Sequence, residues 1–241
     1  MLKNFKDLKI LAKRVVKTGL RRDHLIQKDV SIQMERCGTN YGGWVINPNL
    51  LLNKGQPTVM SFGIGDDISF DLAMVRRFGA KVFAFDPTPN AIRWVSRQKI
   101  PSAMTVYEIG LADFDGNQEF GLPDNPNWDD FSVRRVTDRV VRCKVARLSS
   151  IMEQCGMDDI DILKMDIEGA EYPVIRDLSD SATRPRQLLI EFHHGTHGIS
   201  VTDTRTAVSS LRNAGYLVFD ISPWGREFSF VHSTALRAAR Q

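Results

Sequence analysis

A glycine turn and an aspartate lie where they could hold an adenosine-containing ligand. The turn follows a short apolar run and consists of Gly63, Ile64 and Gly65, while Asp86 ends the next apolar run, at residues 81–85. Glycines let a ligand approach the backbone, and the N–H groups at the start of the following helix favour acceptor groups. A carboxylate can accept both hydrogen bonds of a ribose diol. The plainer interpretation is a tight turn beside a surface aspartate.

Acidic residues and histidines end two later apolar runs. Asp166 follows one run with Glu168 close behind, and His193 and His194 follow the run that ends in Glu191 and Phe192. Carboxylates and imidazoles transfer protons or bind cations. The structural alternatives are a helix N-cap for Asp166 and a hydrogen-bonded loop position for each histidine. His193, His194 and His197 with Asp166 and Glu191 could also assemble a metal site, but their spacing is not diagnostic, so no metal ligand is predicted.

A parallel sheet is the element that would bring these groups together. A strand, the glycine turn, a helix and a second strand ending in Asp86 predict a right-handed crossover, which places the turn and Asp86 side by side at the carboxyl edge. The last two predicted strands have no helix between them and therefore should pair as an antiparallel hairpin. The later strands are predicted at residues 104–108, 160–165, 187–192, 216–221 and 227–232. The pattern indicates an α/β fold.

Composition and charge narrow the class of protein. Of the 241 residues, 42% are hydrophobic and 25% charged, which is typical of a globular protein with one sizeable core. No apolar run approaches the ~20 residues that span a bilayer. The three cysteines show neither disulfide nor zinc spacing, which favours a cytoplasmic location. Residues 1–22 hold eight Lys or Arg and one Asp, so the remainder is mildly acidic and a nucleic-acid substrate is not expected.

The first 50 residues are predicted to be an appendage of a domain at residues 51–241. Residues 2–20 have the period of an amphipathic basic helix. One interpretation packs this helix on the domain or on the second subunit of a homodimer, and the other places residues 1–22 on an anionic membrane surface. Residues 36–50 predict a Gly-rich loop that either covers the ligand, with Gly43 among its contacts, or only connects two elements.

Several sequence motifs resemble the FkbM-type methyltransferases. The run VARLSSIMEQCGMDDIDILKMDIEGAEYPVI at residues 145–175 has the helix, the strand and the EGAE turn typical of that family. FDPTP at 85–89, LLIEFHH at 188–194 and the ending GYLVFDISPWGREFSFVH at 215–232 agree. The resemblance covers about residues 57–232. It implies a Rossmann-like class I methyltransferase fold, in which a seven-stranded, mostly parallel sheet ends in an antiparallel hairpin, here with an added N-terminal helix.

The resemblance also implies a reaction and a set of site residues. S-adenosylmethionine is the implied cofactor, and the implied reaction is methylation of a hydroxyl on a sugar, a glycan precursor or another small metabolite. The glycine turn should hold the methionine part and Asp86 the ribose. The full set of implied cofactor-binding residues is Gly63, Ile64, Gly65, Asp67, Ser69, Asp86, Pro87, Leu111, Asp113 and Gly43. The implied catalytic residues are Asp166, Glu168, His193 and His194, with one histidine as the general base.

The glycine turn departs from the family pattern, and other functions stay open. Ser61 stands where the family more often has an acid, so Asp66 or Asp67 is expected to hold the ammonium group of the cofactor. Lys164, inside a predicted buried strand, is expected to pair with an acid and to have no catalytic role. An NAD-linked dehydrogenase is the enzymatic alternative, although the third glycine of its motif is replaced by Ile68. A non-enzymatic ligand-binding paralogue is the other alternative.

Overall fold

The computed structural model describes residues 23–52, 54–121, 139–196 and 198–238, together with Lys9, Arg14, Thr18, Gly19 and Thr137. Most of the predicted N-terminal helix, the loop that carries Trp128, and His197 therefore lie outside the described residues. Lys9, Arg14, Thr18 and Gly19 are helical. Within the described ranges, no helix combines the length and the apolar character needed to cross a membrane.

Twelve strands and seven helices make up the described part of the chain. The strands are β1 (Glu35–Cys37), β2 (Trp44–Ile46), β3 (Thr58–Phe62), β4 (Lys81–Phe85), β5 (Met104–Tyr107), β6 (Gly110–Leu111), β7 (Gly116–Gly121), β8 (Val140–Ala146), β9 (Ile162–Met165), β10 (Gln187–Glu191), β11 (Tyr216–Ile221) and β12 (Glu227–His232). The helices are α1 (Asn49–Leu52), α2 (Ser69–Phe78), α3 (Pro89–Val95), α4 (Leu148–Gln154), α5 (Glu171–Asp180), α6 (Val201–Asn213) and α7 (Ser233–Ala238).

Seven of the strands form one sheet in the order β11-β12-β10-β9-β3-β4-β5. All neighbours are parallel except those of β12, which runs antiparallel between β10 and β11. The predicted fold class and the predicted antiparallel hairpin are therefore confirmed. Phe62 lies opposite both Phe85 and Met165, so β3, β4 and β9 end at the same level. The residues that follow these three strands consequently meet at one edge of the sheet.

Both faces of this sheet are covered, which explains why its inner strands read as unbroken apolar runs. Alternate residues of each strand enter opposite cores because successive strand side chains point to opposite faces. Met60, Phe62 and Leu163 belong to the core under α4, α5 and α6. Val59 and Ile162 belong to the core under α2 and α3. Gly79 ends α2 in the left-handed conformation, as the sequence predicts, with φ 63°.

Two smaller sheets adjoin the main one. β8 pairs with β6 on one side and with β7 on the other, which forms a separate three-stranded sheet. The prediction of a plain loop at residues 36–50 is wrong in part, because β1 and β2 form an antiparallel ribbon whose turn is residues 38–43. The ribbon is fixed to the main sheet by Asn47, which exchanges two buried hydrogen bonds with Gln187 of β10.

Candidate functional site

A cavity of about 580 Å³ lies over the carboxyl ends of β3, β4 and β9. Of the predicted cofactor-binding residues, the structure brings to its wall Gly63, Ile64, Gly65, Asp67, Asp86, Pro87 and Leu111. Asp166 and Glu168 line it as well, together with Tyr41 and Glu227 from the ribbon turn and β12. Gly43, Ser69, Asp113, His193 and His194 are not among its lining residues; Asp113 is exposed, and His193 is buried beside Asp166, Glu168 and Glu191. The cavity thus assembles most of the predicted site.

The glycine turn is shaped by a close approach to the end of β9. Gly63 has φ 77°, and a Cβ atom there would lie 2.8 Å from the carbonyl carbon of Asp166 and closer still to its oxygen. Only glycine fits this position, both for its backbone conformation and for its space. Gly65 also has a positive φ, of 50°, but no heavy atom lies within 4 Å of a Cβ built on it. The backbone at Gly65 therefore faces open space.

Asp86 is nearly buried and fixes this turn. One carboxylate oxygen accepts hydrogen bonds from the N–H groups of Ile64 and Gly65, both at 3.1 Å. The other accepts from the N–H and the hydroxyl of Thr88, at 2.9 and 2.6 Å. Burial raises the pKa of Asp86, and the hydrogen bonds from Thr88 oppose that shift. These four donors occupy the four lone-pair sites of the carboxylate, so its predicted contact with ribose hydroxyls requires one of them to be shared or displaced.

Three predicted cofactor-binding residues instead hold the ribbon turn. Asp67 accepts a hydrogen bond from the hydroxyl of Thr39 at 2.8 Å, and Thr39 N donates to Ser69 Oγ at 2.8 Å. Gly43 leaves no room for a side chain, because a Cβ atom there would lie 2.7 Å from the carbonyl oxygen of Cys37. Sequence reasoning missed Thr39. The cluster ties residues 38–43 to the start of α2, beside the cavity.

Lys164 lies below the glycine turn and is only 5% exposed. The sequence predicts an acid as its partner, but its ammonium group donates to the backbone carbonyls of Phe62 and Gly63. Its positive charge lowers the pKa of Asp71 and Asp86, and in both residues the larger effect is burial, which raises the pKa. The ammonium group of Lys164 therefore binds backbone carbonyls of the turn and not the acidic side chain that the sequence predicts.

An imidazole and several carboxylates form a cluster at the other end of the cavity. His193 Nε2 lies 3.3 Å from Glu168, 3.9 Å from Asp166 and 4.0 Å from Glu191. Burial by itself lowers the pKa of His193, but Glu171, Glu168 and Asp166 raise it well above the ordinary value. Burial, followed by the charge of Asp166, raises the pKa of Glu191 to about 7.

Glu171 orients the imidazole from behind. Its carboxylate is fully buried, and Oε1 lies 2.7 Å from His193 Nδ1. The same oxygen accepts from the N–H groups of Gly169 and Ile167, at 3.1 and 3.4 Å. Oε1 therefore acts as an acceptor, so His193 carries a proton on Nδ1 and turns Nε2 towards the cluster. Sequence reasoning quoted Glu171 in the EGAE motif without giving it a role.

Glu168 and Asp166 occupy a turn with an unusual backbone. Among the described residues, Glu168 is the sole non-glycine with a positive φ, of 51°. Such a conformation costs of order 1 kcal/mol for a residue with a Cβ, and it is often found at functional sites. The N-cap of α5 is Ala170, without a side-chain hydrogen bond. Asp166 therefore does not cap that helix, which leaves its functional interpretation standing.

His194 points away from the cavity, contrary to its predicted role as a base. It is 6% exposed, its Nδ1 lies 3.3 Å from the hydroxyl of Thr204, and its ring packs edge-on against His24 at 5.0 Å. Burial and then the charge of His24 lower its pKa to about 4. The two adjacent histidines therefore face opposite sides, and only His193 joins the site.

Comparison with known proteins identifies the family of this chain. The family model for the methyltransferase FkbM domain matches residues 31–218. The chain is 25% identical over 159 residues to the 2-O-methyltransferase NoeI of Sinorhizobium fredii, a match that covers 59% of this chain and 65% of that protein. The chain thus spans less than two thirds of that relative.

Two solved structures are also similar in fold. The FkbM methyltransferase of Methylobacillus flagellatus is 14% identical with a TM-score of 0.44, over 77% of this chain and 48% of that one. Aeropyrum pernix fibrillarin, solved with natively bound S-adenosylmethionine, is 12% identical with a TM-score of 0.42, over 85% and 83%. The match to the family model covers most of the chain, and the chain belongs to the FkbM methyltransferase family.

Proposed function

We propose that this protein transfers a methyl group from S-adenosylmethionine to a hydroxyl group of a sugar, a glycan precursor or another small metabolite. The observation that carries the proposal is one cavity with two different ends. The glycine turn and Asp86 form one end, and the other is lined by Asp166, Glu168 and Glu191, whose carboxylates lie within 4.0 Å of the buried His193 Nε2. Family membership supports the methyl transfer, and the similarity to the 2-O-methyltransferase NoeI supports a hydroxyl acceptor.

The residues at the first end fit the cofactor. Gly65 faces open space, so a ligand can lie against the backbone there. Ile64, Leu111 and Phe120 supply apolar surface for a base ring, and the ammonium group of Lys164 suits a carboxylate. A cavity of about 580 Å³ lies within the usual size of small-molecule sites. When bound, S-adenosylmethionine supplies an electrophilic methyl group whose sulfonium leaves as a neutral thioether.

The second end supplies what a hydroxyl acceptor needs. An alcohol must lose its proton as it attacks, which requires a base held in place. Glu168 lines the cavity, and its carboxylate lies 3.3 Å from His193 Nε2. We assign the proton-accepting role to Glu168. We assign to Asp166, which follows β9 and lines the same cavity, the role of orienting the acceptor.

The charges on the cavity wall favour a neutral acceptor. The wall carries seven acidic residues and one lysine, Lys164. A phosphate group on the acceptor would face repulsion in this wall, whereas hydroxyl groups donate hydrogen bonds to carboxylates. The proposal therefore excludes nucleic acid and phosphorylated sugars as acceptors. The acidic residues that line the wall are Asp66, Asp67, Asp86, Asp166, Glu168, Glu191 and Glu227.

Calorimetric titration with S-adenosylhomocysteine tests the donor half. We expect binding that Asp86→Ala weakens strongly, because the turn at Ile64 and Gly65 loses its anchor. Asp113→Ala is the matched control, since Asp113 lies outside the cavity wall and should leave affinity unchanged. Binding of NAD with none of S-adenosylhomocysteine would overturn the proposal.

Transfer of a labelled methyl group to a panel of free and phosphorylated sugars tests the acceptor half. Label in an ether of a neutral sugar is the expected product. Label that appears only in phosphorylated acceptors, or in amines, would contradict the assignment of the acceptor.

A further inference from the structure

Three ligand atoms at the second end of the cavity lie close enough to share a cation. Asp166 and Glu191 each offer a carboxylate oxygen and His193 offers Nε2, and these atoms all lie within 4.8 Å of one another. Two of the residues follow β9 and β10, and Glu191 is the last residue of β10. A cation that binds each atom at roughly 2.1–2.4 Å fits between groups at this separation. The two carboxylates suit Mn²⁺ or Mg²⁺, and the imidazole favours Mn²⁺ of these two because Mg²⁺ prefers oxygen ligands.

A second observation concerns how the imidazole is held. His193 is 5% exposed, and the fully buried Glu171 accepts the proton on its Nδ1 at 2.7 Å. With Nδ1 held by Glu171, a bound cation replaces the proton on Nε2, which is the atom that faces Glu168, Asp166 and Glu191. Histidines that bind metals usually donate their other ring N–H in this way to a carboxylate, a backbone carbonyl or a water. Glu171 is itself fixed by N–H groups of Gly169 and Ile167, so the ligand cannot turn away.

A second group of acid and histidine side chains in the molecule lacks this arrangement. Asp23, His24 and His194 also lie close together, and all three are buried. Both ring nitrogens of His24 are engaged, with Nδ1 accepting from Ile26 N and Nε2 facing the carbonyl oxygen of Gly225. Asp23 is paired with Arg14 at 3.1 Å. This group is therefore satisfied by the protein itself and offers no free lone pair from His24.

We propose that Asp166, Glu191 and His193 bind one divalent cation, Mg²⁺ or Mn²⁺, at the acceptor end of the cavity. Three protein ligands leave coordination positions open on the cavity side. Two neighbouring hydroxyl groups of the acceptor occupy them, which fixes the acceptor beside Glu168. The role in orienting the acceptor rests on the proposed methyl transfer, but the binding of the cation does not. Glu171 is a positioning residue for the ligand His193.

Titration with Mn²⁺ tests the site directly, without cofactor or acceptor. The full chain is treated with a chelator, and the loss of the free Mn²⁺ signal in electron paramagnetic resonance gives the affinity. We expect one bound ion per chain and competition by Mg²⁺. Glu191→Gln removes a ligand and should weaken binding by about 100-fold or more. Glu171→Gln leaves all three ligands in place but should still weaken binding by about 10- to 100-fold.

Glu227→Gln is the matched control. Glu227 lines the same cavity and lies opposite Glu191 in the sheet. The substitution therefore removes one negative charge close to the site without removing a metal ligand. Its affinity for Mn²⁺ should stay within about threefold of the unaltered protein. Stoichiometric Mn²⁺ binding that Glu191→Gln leaves intact, or the absence of binding, would overturn the proposal.

S-adenosylhomocysteine binding, measured on the same samples, separates this proposal from the proposed function. If the protein binds Mn²⁺ but not S-adenosylhomocysteine, the proposed metal site stands and the proposed methyl donor is wrong. If the protein binds S-adenosylhomocysteine but not Mn²⁺, only the proposed metal site is wrong. Unchanged S-adenosylhomocysteine affinity in Glu191→Gln also shows that this variant is folded, so a loss of Mn²⁺ then reports on the ligand.

Discussion

The backbone at Glu168 offers a way to separate strain from chemistry. Its φ of 51° is a left-handed conformation that glycine adopts freely and that costs a residue with a Cβ about 1–2 kcal/mol. Glu168→Gln removes the charge but keeps the Cβ, whereas Glu168→Gly removes both. The difference in stability between these two variants therefore isolates the strain, because neither retains the contact between the carboxylate and His193.

We expect Glu168→Gly to be more stable than Glu168→Gln by about 0.5–1 kcal/mol. Part of the released strain is offset by the greater freedom of glycine in the unfolded chain. In a protein of this size the gain corresponds to a melting temperature higher by roughly 2–4 °C per kcal/mol. Both variants should lose about 10²- to 10⁴-fold in the rate of methyl transfer, which is the usual contribution of a general base.

Urea denaturation gives the free energies, with the slopes compared to confirm a common unfolded state. Glu153, near the end of α4, is the matched position with ordinary helical backbone. At that position we expect the opposite order of stability, with Glu153→Gly less stable than Glu153→Gln by about 0.5–1 kcal/mol. Equal stability of Glu168→Gly and Glu168→Gln would refute the backbone strain at this position. An unchanged rate of methyl transfer in Glu168→Gln would refute the assignment of Glu168 as the general base.

Three further predictions follow from the same geometry. Gly63→Ala should displace the end of β9 and abolish S-adenosylhomocysteine binding in calorimetry. The new methyl group in Gly65→Ala meets only open space, so this variant should lose only about 1–2 kcal/mol in the free energy of unfolding measured in urea, because of its positive φ. Equal effects of the two substitutions would contradict the packing argument. Lys164→Met removes the donor to the carbonyl of Gly63, whereas the carbonyl of Phe62 keeps the N–H of Asp166, and it should cost about 1–3 kcal/mol in the free energy of unfolding, with weaker cofactor binding; unchanged values would show that the ammonium group is not needed there. His24 is fully buried, and burial followed by the charge of Arg14 lowers its pKa, so below the ordinary histidine pKa of about 6.5 the unfolded chain binds this proton more readily than the folded chain, and stability should fall as the pH falls. His24→Gln should remove that part of the slope in urea denaturation repeated between about pH 7 and 5, and an unchanged slope would exclude His24 as its source.

The main sheet could be predicted because its strands are buried on both faces. An unbroken apolar run such as β4 is visible in the sequence, and its predicted bounds, residues 81–85, are those observed. The ribbon of β1 and β2 could not be predicted in the same way. Its strands have three residues each, and what makes them strands is their pairing and their attachment to Gln187, far along the chain.

The site was predictable as far as strand ends determine it. Gly63, Asp86 and Asp166 follow parallel strands that end at one level, so any such sheet brings them together. The choice between His193 and His194 could not be made, because successive side chains point to opposite sides and the sequence does not show which side faces the cavity. The role of Asp67 was hidden for a similar reason. Its partner Thr39 lies in a turn that is fixed only in the folded protein.

The position of β12 between β10 and β11 affects how the molecule is made. A chain synthesised as far as β11 has no strand to join β11 to β10, and both present unpaired backbone edges that invite aggregation. Insertion of β12 closes this gap and delivers Glu227 to the cavity wall. The glycine turn is therefore synthesised early, but the cavity wall is complete only once β12 has been synthesised and inserted. A product truncated before β12 accordingly lacks both the link between β10 and β11 and one wall of the cavity.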